Sequence, residues 1–148
     1  MTGFGGVTLA VGCAAVAEDL ARRRISNWTS GAALASGFVL HIAHHGWRGA
    51  LAASLGTVLG FTIFLVFYLL NGMGGGDVKL MAGFGSLLGP GAICWAAWFA
   101  AVAGGLMAAG YAVALALRAR RHAAPGGQAI PYAPAIVAGV WLAEFALG

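Results

Sequence analysis

The sequence has few charged residues, and this scarcity defines its class. Only 8% of the 148 residues are charged, whereas a soluble domain has about 25%. Hydrophobic residues make up 61% of the chain, and the mean hydropathy is +0.89. This composition excludes an ordinary soluble domain, because apolar segments fill nearly the whole length. We therefore expect a single membrane-embedded domain over residues 1–148.

Cysteine is also scarce, which argues against a zinc or redox site. Cys13 and Cys94 lie in separate apolar segments, without the close Cys or His spacing of such sites. We therefore expect no metal and no other cofactor. The net charge is +4, but the basic residues form short clusters between apolar segments. They are typical of membrane topology signals, so nucleic acid is not an expected partner.

The apolar segments have the lengths of membrane-spanning helices, each of which needs about 20 residues. The first segment has no basic region before it, so we expect a retained span rather than a cleaved signal peptide. The predicted fold is an all-α polytopic membrane protein with about six transmembrane helices. Their ranges are 3–17, 28–44, 50–70, a short helix from 77 to about 88, 91–117 and 133–147.

The Gly89-Pro90 pair separates the fourth and fifth predicted helices. Glycine commonly follows a helix end and proline commonly begins a helix, so we expect a turn here. A continuous helix with a proline kink is the alternative. A fourth helix of about a dozen residues, roughly 18 Å long, would be short enough to thin the bilayer locally and admit water.

The basic residues predict the orientation of the chain. With the N-terminus outside, the loops after the first, third and fifth spans face the cytoplasm, and the last of these is predicted over 118–128. Seven of the eight basic residues then lie inside and Arg48 lies outside, which follows the positive-inside rule. The seven are Arg22, Arg23, Arg24, Lys79, Arg118, Arg120 and Arg121. The same orientation places Asp19 and Asp77 together at the cytoplasmic side.

Two further patterns each leave two interpretations open. The spacings Gly56-xxx-Gly60 and Gly85-xxx-Gly89 would let helix backbones approach closely. Simple abundance is the other interpretation, because the chain has 25 glycines.

His41, His44 and His45 lie at the outer end of the second span. The i, i+4 spacing of His41 and His45 makes a metal site conceivable. Histidines at the membrane interface are the favoured interpretation, because few carboxylates accompany them.

The four acidic residues are candidates for chemistry, because carboxylates are costly near a membrane. They are Glu18, Asp19, Asp77 and Glu144. Two aspartates at equal depth suggest an aspartyl protease. One carboxylate would deprotonate a water while the other, protonated, would hydrogen-bond the scissile carbonyl. The helix ends and nearby arginines leave open which aspartate has which role.

A glycine-rich stretch precedes the second aspartate. Gly74, Gly75 and Gly76 would allow positive φ and a close approach by an extended substrate, so they are candidate substrate-binding residues. Lys79 lies two positions after Asp77 and therefore on another helical face. For this lysine, substrate contact and a lipid-headgroup or topology role both remain open.

These residues carry a family resemblance. Gly74–Lys79 resembles the GxGDxK signature of type IV prepilin peptidases, which are GxGD membrane aspartyl proteases. Asp19 and the following stretch Arg22–Asn27 are similar to that family's first motif, and Ile130–Ile136 resembles its late proline-containing motif. The resemblance implies that Asp19 and Asp77 are the catalytic pair. It also implies a multi-pass protein of the inner membrane.

The chain departs from the family pattern at several points. Ser26 stands where proline is usual, and Ala133 stands where glycine is usual. The paired CxxC motifs of bifunctional members are missing, so N-methyltransferase activity is not expected. The chain resembles the short, peptidase-only forms of tight-adherence (Flp) pilus systems. The expected function is removal of the basic leader from Flp-like prepilins, with the prepilin helix and membrane lipids as partners.

Two other functions fit parts of the sequence. Presenilin-like and signal-peptide-peptidase-like proteases share GxGD, but they place the first aspartate in a Tyr-Asp span. Here Asp19 lies beside an arginine cluster instead. A small transporter or pilus-assembly subunit could use the acids for cation or proton coupling. That function would place the acids near the bilayer midplane.

Overall fold

Nearly all of the residues that the structure describes are helical. The computed structural model describes residues 3–22, 24–70, 73–119 and 132–147. Over these ranges it forms the helices α1 (Gly3–Arg22), α2 (Asn27–Leu69), α3 (Gly75–Ala119) and α4 (Ala133–Leu147). The all-α prediction is confirmed. The predicted loop over 118–128 begins later than expected, because α3 continues to Ala119, and its remainder from 120 lies outside the described residues.

The composition and surface of the helices suit a membrane. Helices α1, α2 and α3 are long and apolar enough to cross one, whereas α4 has 15 residues. Large apolar side chains cover their outward faces, and Leu55, Val58 and Leu106 are each more than half exposed. A continuous apolar surface of this kind favours contact with lipid over contact with water.

Helix α2 reverses its direction at Gly46. This residue has φ 57° and ψ −137°, a conformation outside the helical region and open mainly to glycine. A Cβ atom added to Gly49 would overlap the backbone carbonyl of His41, although eight residues of straight helix would separate the two by about 12 Å. The arms 27–45 and 47–69 therefore form a helical hairpin.

Helix α3 reverses in the same way at Gly89, which has φ 72° and ψ 179°. A Cβ atom on Gly60 would meet both the Met81 carbonyl, before the turn, and the Ile93 side chain, after it. The turn thus lies where the Gly89-Pro90 pair predicts it. The arm from 75 to 88 is roughly 21 Å long at about 1.5 Å per residue, which is short of the roughly 30 Å hydrocarbon core.

Glycines let the first arm of α3 lie between the two arms of α2. A Cβ atom on Gly56 or on Gly85 would overlap the carbonyl oxygen of the other, and one on Gly37 would overlap Ser86. Ser86 Oγ donates hydrogen bonds across the same contact, with Leu34 O at 3.1 Å. The close approach predicted from the glycine spacings therefore occurs, and side chains at these positions would prevent it.

The core forms where α3 packs against α2 and α4. Its largest fully buried apolar side chains are Phe64, Phe84, Leu80, Met81, Ile93, Ile136, Val137 and Val140. These residues come from α2, α3 and α4, so the core fixes the position of α3, whose first turn carries Asp77.

The rings of His41, His44 and His45 lie close together near the start of α1. The His41 ring lies with its centroid 4.8 Å from that of Phe4, near the start of α1. His41 Nε2 is 3.1 Å from the carbonyl oxygen of Leu87, just before the α3 turn. Among the described residues, no three His, Cys, Asp or Glu side chains are grouped to hold a metal ion. His41 thus contacts the end of the first arm of α3, where backbone carbonyls have no hydrogen-bond partner within the helix.

Candidate active site

Asp19 lies near the end of α1 and is only 7% exposed. Its Oδ2 accepts a hydrogen bond from the backbone N–H of Ala133, the first residue of α4, at 3.1 Å. A helix N-terminus has free N–H donors and a partial positive charge. The start of α4 therefore places a donor and a partial positive charge beside Asp19. Sequence reasoning, which considered the end of α1 and the nearby arginines, missed this contact.

Asp77 lies in the first turn of α3 and is 8% exposed. Its Oδ2 accepts from the backbone N–H of Gly74 at 3.2 Å. In return, the Asp77 N–H donates to the Gly74 carbonyl, also at 3.2 Å. The two bonds close the turn that leads into the helix, and they fix the carboxylate at a helix N-terminus.

The two aspartates line one cavity of about 580 Å³. The other lining residues are Glu18, Arg22, Arg24, Ile25, Ser26, Asn27, Gly74, Gly76 and Lys79. The structure thus brings together the two carboxylates that the sequence singled out. Glu18 and three basic residues lie around them.

The candidate substrate-binding glycines differ in their placement. Gly74 and Gly76 line the cavity. Gly75 is outside the lining, and a Cβ atom there would lie 3.6 Å from the Tyr68 ring. None of the three has the expected positive φ, since among the described glycines that conformation occurs only at the two helix turns. Gly75 and Gly76 instead belong to the first turn of α3, whose hydrogen bonding requires helical angles.

The loop between α1 and α2 and the first residue of α2 each contact the start of α3. A Cβ atom on Gly76 would lie 3.4 Å from Cβ of Ile25, so this glycine leaves room for the loop. Lys79 Nζ donates to Asn27 Oδ1 at 3.1 Å, and both residues line the cavity although Lys79 is exposed. The loop therefore forms one wall beside Asp77.

Glu18 holds this loop, a structural role that sequence reasoning did not predict when it named Glu18 among the acidic candidates. Its Oε2 accepts from the Ser26 backbone N–H and from the Thr29 hydroxyl, both at 2.8 Å. Ser26 is also the N-cap of α2, and its Oγ accepts from the Trp28 N–H at 3.2 Å. The available signal was Ser26 itself, because the proline usual at this position would have no N–H to donate.

Chemically, the cavity offers two buried carboxylates next to space that could hold water. A family model described as the type IV leader peptidase family matches residues 6–113, a range that contains both aspartates. Comparisons with curated proteins and with solved structures gave no match.

Proposed function

The chain belongs to the type IV leader peptidase family, and on this basis we propose that it is a membrane aspartyl endopeptidase that removes the leader from prepilins. One observation carries the proposal. Asp19 and Asp77 are both buried, line one cavity, and are each held by a backbone N–H at a helix N-terminus. Buried carboxylates in such proximity share a proton rather than both ionising.

The reaction uses one carboxylate as base and the other as acid. The ionised carboxylate takes a proton from a water molecule, whose oxygen attacks the scissile carbonyl carbon. The protonated carboxyl donates its proton to the carbonyl oxygen, giving a tetrahedral intermediate. Collapse of this intermediate breaks the C–N bond. The carboxyl that took the proton from water gives it to the leaving nitrogen, and the other carboxylate takes a proton back from the intermediate, which restores the pair. Because both carboxylates lie at helix N-termini, the surroundings do not tell the base from the acid. We therefore assign these two roles to the pair and not to each residue.

The proposed topology has about six membrane crossings, with the N-terminus outside and the cavity at the cytoplasmic face of the inner membrane. The reversals at Gly46 and Gly89 support it, because they divide α2 and α3 into two antiparallel arms each. The bases Arg22, Arg24 and Lys79 around the cavity support the cytoplasmic assignment.

The substrate that we propose is a prepilin of the Flp type, on the strength of the motif resemblance. Its leader stays in the cytoplasm, and its apolar helix lies in the membrane beside the enzyme. The transporter alternative is less well supported. Asp19 is near the end of α1 and Asp77 is in the first turn of α3, whereas coupling acids usually lie near the bilayer midplane.

The test is cleavage of a prepilin by the full chain in liposomes, followed by gel mobility and mass of the product. Asp19→Asn and Asp77→Asn should each lower the rate about 10²- to 10⁴-fold, the usual contribution of a general acid or base. Glu144→Gln is the matched control, because Glu144 lies at the opposite end, beside Gly5. Normal cleavage by both asparagine variants would refute the aspartyl mechanism.

A further inference from the structure

A second cavity, of about 210 Å³, lies between α2, α3 and α4. Its lining has no charged residue and is almost entirely apolar. The side chains of Phe64 and Met73 form part of the wall, and Ala101, Gly104 and Gly105 form a flat floor on the second arm of α3. Phe64 is only 1% exposed, so this part of the wall is fixed by the core.

Two backbone segments join the wall of this apolar cavity to the residues that hold the candidate catalytic carboxylates. Met73 precedes Gly74, whose N–H holds Asp77. Tyr132, also in the lining, precedes Ala133, whose N–H holds Asp19. Neighbouring Cα atoms are about 3.8 Å apart. The residues that wall the cavity are therefore the direct neighbours of those that position the two carboxylates.

The cavity is large enough for one bulky side chain. A cavity of about 150 Å³ in another protein's core binds benzene, so 210 Å³ accommodates a leucine or phenylalanine side chain. The floor leaves this space free because glycine and alanine have little or no side chain. A Cβ atom on Gly105 would meet nothing within 4 Å.

We propose that this apolar cavity is a specificity pocket that accepts one bulky apolar side chain of the substrate near the scissile bond. The inference rests on the proposed peptidase function. An extended substrate advances about 3.3 Å per residue, so the side chain belongs to a residue within about three positions of the cut. A substrate residue is the expected occupant, rather than a lipid chain, because the pocket adjoins both segments that hold the carboxylates.

The test uses the full chain in liposomes and pairs of substrates that differ at one position. At each of the three positions on either side of the cut, one substrate carries alanine and the other carries leucine or phenylalanine. At one position, wild type should prefer the bulky residue by on the order of 10- to 100-fold in kcat/KM, the range expected from burying such a side chain. Gly105→Leu should abolish this preference by filling the pocket.

Gly110→Leu is the matched control. It makes the same substitution on the same helix, also where a Cβ atom meets nothing within 4 Å, but outside the pocket lining. This variant should keep the full preference for the bulky residue. Thermal unfolding of both variants in detergent checks that they fold equally well.

Three results would overturn the inference. They are a wild-type enzyme without a preference, a Gly105→Leu variant that keeps it, and a Gly105→Leu variant that loses activity equally on both substrates. The last result, if seen in liposomes but not in detergent, would identify a lipid chain as the occupant. A wild-type enzyme that cleaves no prepilin would instead refute the proposed function itself.

Discussion

The carboxylate of Asp19 is held by the backbone N–H of Ala133, with 3.1 Å between Oδ2 and the nitrogen. Asp19 lies near the end of α1 and Ala133 begins α4, so the contact joins two helices that are far apart in the sequence. Ala133 itself is fully buried. One half of the carboxylate pair therefore depends on the exact position of another helix.

Ala133→Pro should impair cleavage without breaking α4. Proline suits the first position of a helix, but it lacks the N–H that Asp19 accepts. A hydrogen bond to a charged group contributes about 1.5–3 kcal/mol, so kcat should fall about 10- to 100-fold. The assay is run at a temperature at which thermal unfolding shows the variant folded, because the proline ring enters a fully buried site. Ala133→Gly keeps the N–H and should remain active. A fully active Ala133→Pro enzyme would show that the contact is dispensable.

Glu18→Ala should loosen the loop that walls the cavity. The change removes two hydrogen bonds of 2.8 Å, from the Ser26 N–H and the Thr29 hydroxyl. We expect the free energy of unfolding to fall by about 2 kcal/mol and cleavage to slow, measured by thermal unfolding and by the prepilin assay. Glu18→Gln keeps a carbonyl acceptor, so it should retain most of the stability and most of the cleavage rate.

Substitutions at Ser26 provide the control for the hydrogen bonds that Glu18 accepts. Ser26→Ala removes only the hydroxyl that caps α2, whereas Ser26→Pro also removes the N–H bonded to Glu18. The Ser26 φ of −66° is compatible with proline. Ser26→Pro should thus be less stable than Ser26→Ala in the wild type, but not in a Glu18→Ala background. An equal difference in both backgrounds would contradict the role of Glu18.

Gly56→Ala should destabilise the fold strongly. The added methyl group would overlap the carbonyl oxygen of Gly85 on the facing helix, and overpacking typically costs about 1–3 kcal/mol. Gly31→Ala, also in α2, is the matched control because a Cβ atom there meets nothing within 4 Å. Thermal unfolding in detergent should separate the two variants, and equal melting temperatures would mean that the helices can move apart at little cost.

Gly89→Ala should destabilise the turn in α3. Its φ of 72° and ψ of 179° are strained for any residue with a side chain, at a cost of about 1–3 kcal/mol. Gly91→Ala, two residues later in regular helix and in open space, should be neutral or slightly stabilising. Thermal unfolding again gives the comparison. If both variants unfold alike, the turn tolerates another conformation.

The sequence predicts much of this fold because its signals are local. Gly89-Pro90 marks one helix reversal, and the positions of basic residues place Asp19 and Asp77 at the same end. Some of the contacts that hold the candidate site are not local, because they join residues far apart in the sequence. The Asp19–Ala133 bond joins residues 114 positions apart, and no local pattern encodes such a distance. Likewise, the apolar pocket exists only once three helices have packed around it.

The glycines before Asp77 show a second limit. Glycine indicates that space or an unusual φ is needed, but the sequence cannot say which. At Gly76 the need is space for Ile25, and the backbone is helical. At Gly46 and Gly89 the need is a positive φ. Only the neighbours in the folded chain separate the two cases.

The hydrogen bond from Ala133 to Asp19 also bears on when the carboxylate pair is completed during synthesis of the chain. The ribosome makes Ala133 114 residues after Asp19, when both aspartates have already been synthesised. Until α4 inserts beside α1, the nascent chain contains both carboxylates but lacks the N–H that holds one of them. Insertion of α4 is therefore the step that completes the hydrogen bonding of the carboxylate pair.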